Sequence, residues 1–339
     1  MKNEHKFLAA SGRIFVRAEQ AADQWEVTHP LDGVKINCIV SDFGNPQTVY
    51  IGTQKGGVML SRDLGKTWQS RGLEDIPVKS LAIDPSDPQT LYAGCKPVSL
   101  FVSHNGGVTW RELEAMRETR RWWWFSPADP PGIAPYVNAL TVSPGNPNVI
   151  LAGIEAGAVM RSEDGGYTWS KHLPGSDRDC HSLTFHHTDG DWAYEAGGMS
   201  GVAFSQDGGR EWRKPKDDIG AKYGWAVAAD PEQPDIWYLS AAEQGNLLKG
   251  EFTPPGHRDG QANAHIYRKM GAAPWAPLSG GLPDPLDYMA YGLSTVPGEP
   301  GHLYAGLGNG QVWHTSDYGD NWEPMPFNLG GVHNALLVI

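Results

Sequence analysis

The chain has little of what many functions require. Its 339 residues hold only three cysteines, Cys38, Cys95 and Cys180. These cannot all pair with one another, and none has metal-ligand spacing, so the sequence predicts free thiols in a reducing cytoplasm. No apolar run approaches the ~18 residues of a membrane-spanning helix. The opening MKNEHKFLAASGRIF has no apolar core of a secretory signal and runs straight into patterned sequence. Basic residues are outnumbered, 27 to 39, and the formal charge of −12 argues against a nucleic-acid surface, so neither nucleic acid nor membrane is expected as a partner. Helical periodicity is nearly absent, as are a nucleotide-binding loop, a nucleophile elbow and a metal motif. No cofactor or metal is predicted.

Glycine (42) and tryptophan (14) are abundant, and they recur in a fixed phrase. SRDLGKTW ends at Trp68, SHNGGVTW at Trp110, SEDGGYTW at Trp169, SQDGGREW at Trp212 and TSDYGDNW at Trp322. Two worn copies, AEQAADQW ending at Trp25 and RKMGAAPW ending at Trp275, complete seven units with a period of about 43 residues, the length of a four-stranded propeller blade. The phrase suits a hairpin reversal. Glycine takes a positive φ, the short acid accepts hydrogen bonds from its own turn, and the tryptophan wedges between sheets. The closing VHNALLVI (332–339) reads as an inner strand with no blade after it, and the first blade lacks an inner strand. The expected fold is therefore all-β: one domain over 1–339, a seven-bladed β-propeller of four-stranded blades, the first completed by the C-terminal strand so that no sheet edge is left open.

The S/T-x-D-x-G-x-x-W phrase resembles the Asp-box (BNR) repeat, and the chain is similar to that propeller superfamily. Its members include sialidases, tandem-propeller xyloglucan hydrolases, sortilin-type receptors and a photosystem-assembly factor. The resemblance implies a structural role for the boxes and a functional face opposite them. It does not choose a subgroup. GRIFVR (12–17) is not the F/Y-R-I-P motif of sialidases, a single propeller is not the facing pair of the xyloglucan hydrolases, and the cysteine-rich modules of sortilin-type receptors are missing.

Two insertions, 111–135 and 242–264, fall in connections expected on the face opposite the boxes, where elaboration means binding. The first carries Arg120, Arg121, Trp122, Trp123 and Trp124. The tryptophans are candidate stacking platforms; Arg120 and Arg121, with Arg178, are candidate clamps for a carboxylate or sulfate. Aligned inner strands place Asn37, Lys79, Asn138, His181, Trp225, Tyr291 and Asn334 at one equivalent position that is never aliphatic, a set expected to line the mouth of a central channel. Glu155, equivalent to Gln54 and Lys96 in neighbouring blades, is a candidate acid or base, as are Asp287, Tyr288 and Glu243.

Three functions fit these residues. The first is a carbohydrate-active, glycoside hydrolase-like propeller using Glu155 and Asp287 as the carboxylate pair. The second is a non-catalytic ligand-binding or assembly propeller. The third is a lyase using His181 with Tyr291. The expected partner is a small molecule or glycan; the oligomeric state is not legible.

Overall fold

In a computed structural model the described residues are all except 1–4, 13, 23, 43, 125–133, 216–218, 245–254 and 334. They form seven antiparallel sheets, five of four strands and two of three. Each sheet begins at one of the seven predicted units. In the first, the C-terminal strand Ala335–Val338 pairs with Lys6–Ser11, followed by Ile14–Ala21 and Gln24–Asp32. The register runs from Phe7 opposite Val338 to Ala10 opposite Ala335, so the predicted closing strand is in place. The fourth and fifth sheets have three named strands, but backbone bonds from Ser170 to Arg161 and from Leu173 to Val159 continue the fourth beyond its third strand, Val159–Ser162.

The strands gather into two compact units. One comprises 1–33, 198–201 and 215–339 and holds the first, sixth and seventh sheets; the other comprises 34–197 and 202–214 and holds the second to fourth sheets and most of the fifth. In the first unit Phe7, Tyr238, Leu303, Tyr304 and Val332 belong to one buried cluster. In the second, Val137, Ile150, Ile154, Leu100 and Met160 do the same.

The hydroxyl, the acid (or Asn105) and the glycine amide of the repeated phrase are bonded alike in all five clear copies. In the second sheet the Ser61 hydroxyl donates to Asp63 Oδ1 (2.7 Å) and accepts the Gly65 amide (2.7 Å), while Asp63 accepts the Thr67 amide (2.8 Å) and hydroxyl (2.6 Å). Ser162–Asp164–Thr168 and Thr315–Asp317–Asn321 repeat it, and Asn105 stands in for the acid in the third sheet. The worn copy at 268–275 keeps one bond of the set. Gly271 N–H reaches Asp235 O (2.8 Å), as Gly165 N–H reaches Asn148 O (2.9 Å). Trp25, closing the other worn copy, packs against Phe327 at 4.5 Å between ring centroids.

Adjacent sheets approach closely because the second strand of several carries a glycine where a methyl group will not fit. A Cβ on Gly94 would sit 2.6 Å from Val137 Cγ1, and one on Gly153 would sit 2.3 Å from Cys180 Sγ. Both lie opposite the residue that follows the polar inner-strand position. All three cysteines are free thiols.

Candidate functional site

The inner strands carry a feature hidden from sequence alignment. In six sheets the pairing with the second strand skips one residue, and the skipped residues are Asn37, Lys79, Asn138, His181, Trp225 and Tyr291. Each is the extra residue of a β-bulge, which turns its side chain out of the pleat. This is the physical reason for the non-aliphatic pattern. Asn334 lies outside the described residues.

Not all six are free to meet a ligand. Asn37 Nδ2 donates to Val78 O (2.8 Å) and Asn138 Nδ2 to Cys180 O (3.0 Å), so both amides tie one inner strand to the next. Lys79 Nζ donates to Asn37 Oδ1 and Gln54 Oε1, each at 3.4 Å, and lies 4.9 Å from the centre of the Tyr136 ring. The predicted equivalence of Gln54, Lys96 and Glu155 is visible in the backbone, for each amide bonds the carbonyl just before its own inner strand: Lys35, Pro77 and Tyr136.

Glu155 is buried beside two partners, His181 and Asp179, the second of which sequence reasoning missed. One ligand atom from each of Glu155, Asp179 and His181 lies within 4.8 Å of the others, the one such group among the described residues and the set that could hold a cation. His181 Nε2 is 3.6 Å from Asp179 Oδ2. Burial works against the Asp179 charge, but the hydrogen bond and charge of His181 outweigh it and lower its pKa. Glu195, fully buried behind Cys180, has its pKa raised well above the carboxylate range, chiefly by burial, and accepts the Asp177 amide at 2.9 Å. Its signal in the sequence is an acid inside the apolar second strand Ala193–Gly197.

In the other unit the second insertion delivers a histidine that sequence reasoning also missed. His257 Nδ1 is 2.7 Å from the Tyr291 hydroxyl and its Nε2 is 2.6 Å from the Tyr223 hydroxyl. Trp225 stands edge-on to both His257 (4.9 Å) and Tyr291 (5.2 Å). Asp287 and Glu243 are exposed and Tyr288 is half-buried, all in this same unit, so Asp287 and Glu155 belong to different units.

The first insertion builds a groove. Leu113 and Met116, three apart around the short helix Ala115–Glu118, bury together with Trp124 in the core of the fourth sheet. Trp124 lies against Gly157, where an added Cβ would be 3.1 Å from its ring. This seats the insertion along the outer edge of the fourth sheet and leaves a cavity of about 710 Å³. Arg121, Trp123 and Trp124 line it from the insertion, and Trp169, Lys171 and Arg178 from the sheet. Trp123 is 51% exposed; Arg120 and Trp122 (91% exposed) are not among the lining residues. Tyr167 also lines the groove and is held by Arg111, whose Nη2 is 2.5 Å from its hydroxyl. Tyr167, Thr168 and Trp169 of the fourth copy of the repeated phrase therefore line the same cavity as Arg121 and Arg178.

No family model matches the chain, and no curated protein matches it. Among solved structures, an ancestral GH74 enzyme superposes with a TM-score of 0.62 at 17% identity, covering 98% of this chain and 39% of that one. The GH74 xyloglucanase of Xanthomonas campestris superposes with a TM-score of 0.64 at 17% identity, covering 94% and 46%. YCF48 bound to a D1 peptide gives a TM-score of 0.56 at 16% identity, covering 86% and 80%. The chain thus spans less than half the length of the two GH74 structures. What these likenesses share with the seven-sheet pattern is the fold, a seven-bladed β-propeller.

Proposed function

We propose that this chain is a carbohydrate-binding propeller whose ligand lies in the groove between the first insertion and the outer edge of the fourth blade. The observation that carries this reading is the convergence of Trp123, Trp169 and Tyr167 with Arg121, Lys171 and Arg178 in one cavity of about 710 Å³, within the ordinary range for ligand sites. Indole and phenol faces accept the C–H face of a sugar ring, and the cationic and hydroxyl groups beside them fix its oxygens. Calorimetric titration with neutral and acidic oligosaccharides, xyloglucan fragments among them, tests it. Binding is expected for at least one class and is lost in Trp123→Ala, whose half-exposed side chain contributes little to folding. Absence of binding by every oligosaccharide, or unchanged binding by Trp123→Ala, overturns the reading.

Hydrolysis is a second reading, favoured by the Glu155–Asp179 pair. Their closest carboxylate oxygens lie within 4.8 Å, near the roughly 5–5.5 Å separation of retaining glycosidases. In this version Asp179, held ionised by His181, is the nucleophile or base and Glu155 the acid. Release of reducing sugar that falls in Glu155→Gln and in Asp179→Asn, but not in Asp287→Asn, supports it. Activity that survives both changes removes the pair.

A further inference from the structure

The groove is cationic on a protein with a formal charge of −12. Arg121, Lys171 and Arg178 line it, against a single lining carboxylate, Glu118. Elsewhere arginine is commonly matched: Arg17 pairs with Glu19, Arg161 with Glu163, and Arg268 with Asp320. Among the described residues Arg121, Lys171 and Arg178 have no ion-pair partner, and the Arg178 guanidinium makes one contact, Nη1 to Gly157 O at 3.3 Å. Burial and the charge of Arg178 lower the pKa of His172, another lining residue, so it leaves the positive charge of the groove to these three cations at neutral pH.

A second observation is independent of charge. Trp124 is 5% exposed, lines the groove, and its indole Nε1 has no hydrogen-bond acceptor among the described residues. A buried N–H without a partner costs about 1–3 kcal/mol, a deficit that a ligand oxygen would remove. Three unneutralised cations and an unused donor beside exposed aromatic faces define the class of ligand.

Building on the carbohydrate-binding reading, we propose that the groove selects acidic oligosaccharides. A sugar carboxylate or sulfate sits among Arg121, Lys171 and Arg178, an oxygen of the ligand accepts the Trp124 N–H, and a sugar face lies on Trp123. The guanidinium forks supply paired donors to a planar carboxylate, so the preference is for charge as well as shape.

The test is calorimetric titration of the full chain with matched pairs: uronic-acid and sulfated oligosaccharides, each beside its carboxyl-reduced or desulfated counterpart. The acidic member is expected to bind about ten-fold tighter or more, and to weaken as salt is raised from about 0.05 to 0.5 M. Arg121→Gln with Arg178→Gln brings the pair to parity. Trp124→Phe, which keeps the ring in the core but removes the N–H, weakens the acidic ligand several-fold without lowering the melting temperature by more than a few degrees. Equal affinity for the acidic and neutral members overturns this inference and leaves the carbohydrate reading standing. No binding of either member, with or without binding of an acidic peptide such as hexaglutamate, overturns both.

Discussion

His257 stands between Tyr223 and Tyr291, within 2.6 Å of one hydroxyl and 2.7 Å of the other. One residue from the second insertion is thereby bonded to the inner strand of the sixth blade and to the bulged position of the seventh. Tyr291 also donates to Gly256 O at 3.3 Å, and burial pushes its phenol pKa well up, so it stays a neutral hydroxyl at ordinary pH.

Replacing His257 with Phe keeps a ring against Trp225 but removes one hydrogen-bond partner from each of the two phenols. The expected loss is about 1–3 kcal/mol, read as a lower urea midpoint at unchanged slope. An unchanged midpoint would mean that solvent satisfies both hydroxyls and that the histidine is not an anchor.

Gly153 faces Cys180 across the seam between the fourth and fifth sheets. Gly153→Ala puts a methyl group 2.3 Å from the sulfur and 2.9 Å from Cβ, so one strand must move. Overpacking of this kind costs about 1–3 kcal/mol. Cys180→Gly in the same chain should recover part of that loss in equilibrium denaturation; a double variant no better than the single one would place the strain elsewhere.

Stability should fall in acid through two separate windows. The first belongs to His314, on the third strand of the seventh sheet (Gln311–Thr315), whose ring stacks on Tyr304 at 4.4 Å. Burial, helped by His302 and His5, depresses its pKa to about 4. The unfolded chain therefore takes up this proton first, and stability is lost as pH falls from the ordinary histidine range toward 4. His314→Phe should flatten melting temperature against pH over that interval, with a residual slope from His5, which burial also lowers. A slope as steep as in the parent chain would exclude His314 as its source.

The second window lies lower and belongs to the repeated hairpins. At Asp63 burial opposes the charge, yet hydrogen bonds from Thr67 and Ser61 prevail and hold the carboxyl at about 2. Asp317 is also held at about 2, by bonds from Asn321 and Thr315, and Asp164 and Asp207 are lowered as well. Their contribution is complete above the ordinary carboxylate range and disappears as pH drops from about 4 toward 2. Asp63→Asn, which imitates the Asn105 of the third blade, should leave neutral stability nearly intact and shallow the acid limb of the denaturation curve.

The architecture was readable because each blade announces itself with a turn that needs particular atoms. Counting tryptophans found even the worn hairpins, since Trp25 and Trp275 keep the wedge after the acid is gone. The inner-strand set was readable as a pattern but not as chemistry. Asn37 and Asn138 hold neighbouring strands, a task invisible until the strands are side by side, whereas Tyr291 meets a histidine that comes from 34 positions earlier in the chain. Asp179 escaped notice because it sits two residues before an aligned position, and long-range contacts have no local periodicity. The aromatic insertion was visible as a departure from the repeat, but its direction depends on Leu113 and Met116, which bury with Trp124 against the fourth sheet.

Pairing Lys6–Ser11 with Ala335–Val338 also has a temporal consequence. On the ribosome the first blade is made early but its inner edge waits, with backbone donors and acceptors unsatisfied, while six other blades emerge. During that interval the edge is a template for any extended segment, including those of neighbouring nascent chains. A fold whose finished state leaves this edge covered thus carries a particular risk of misassembly until Ala335–Val338 is released to cover it.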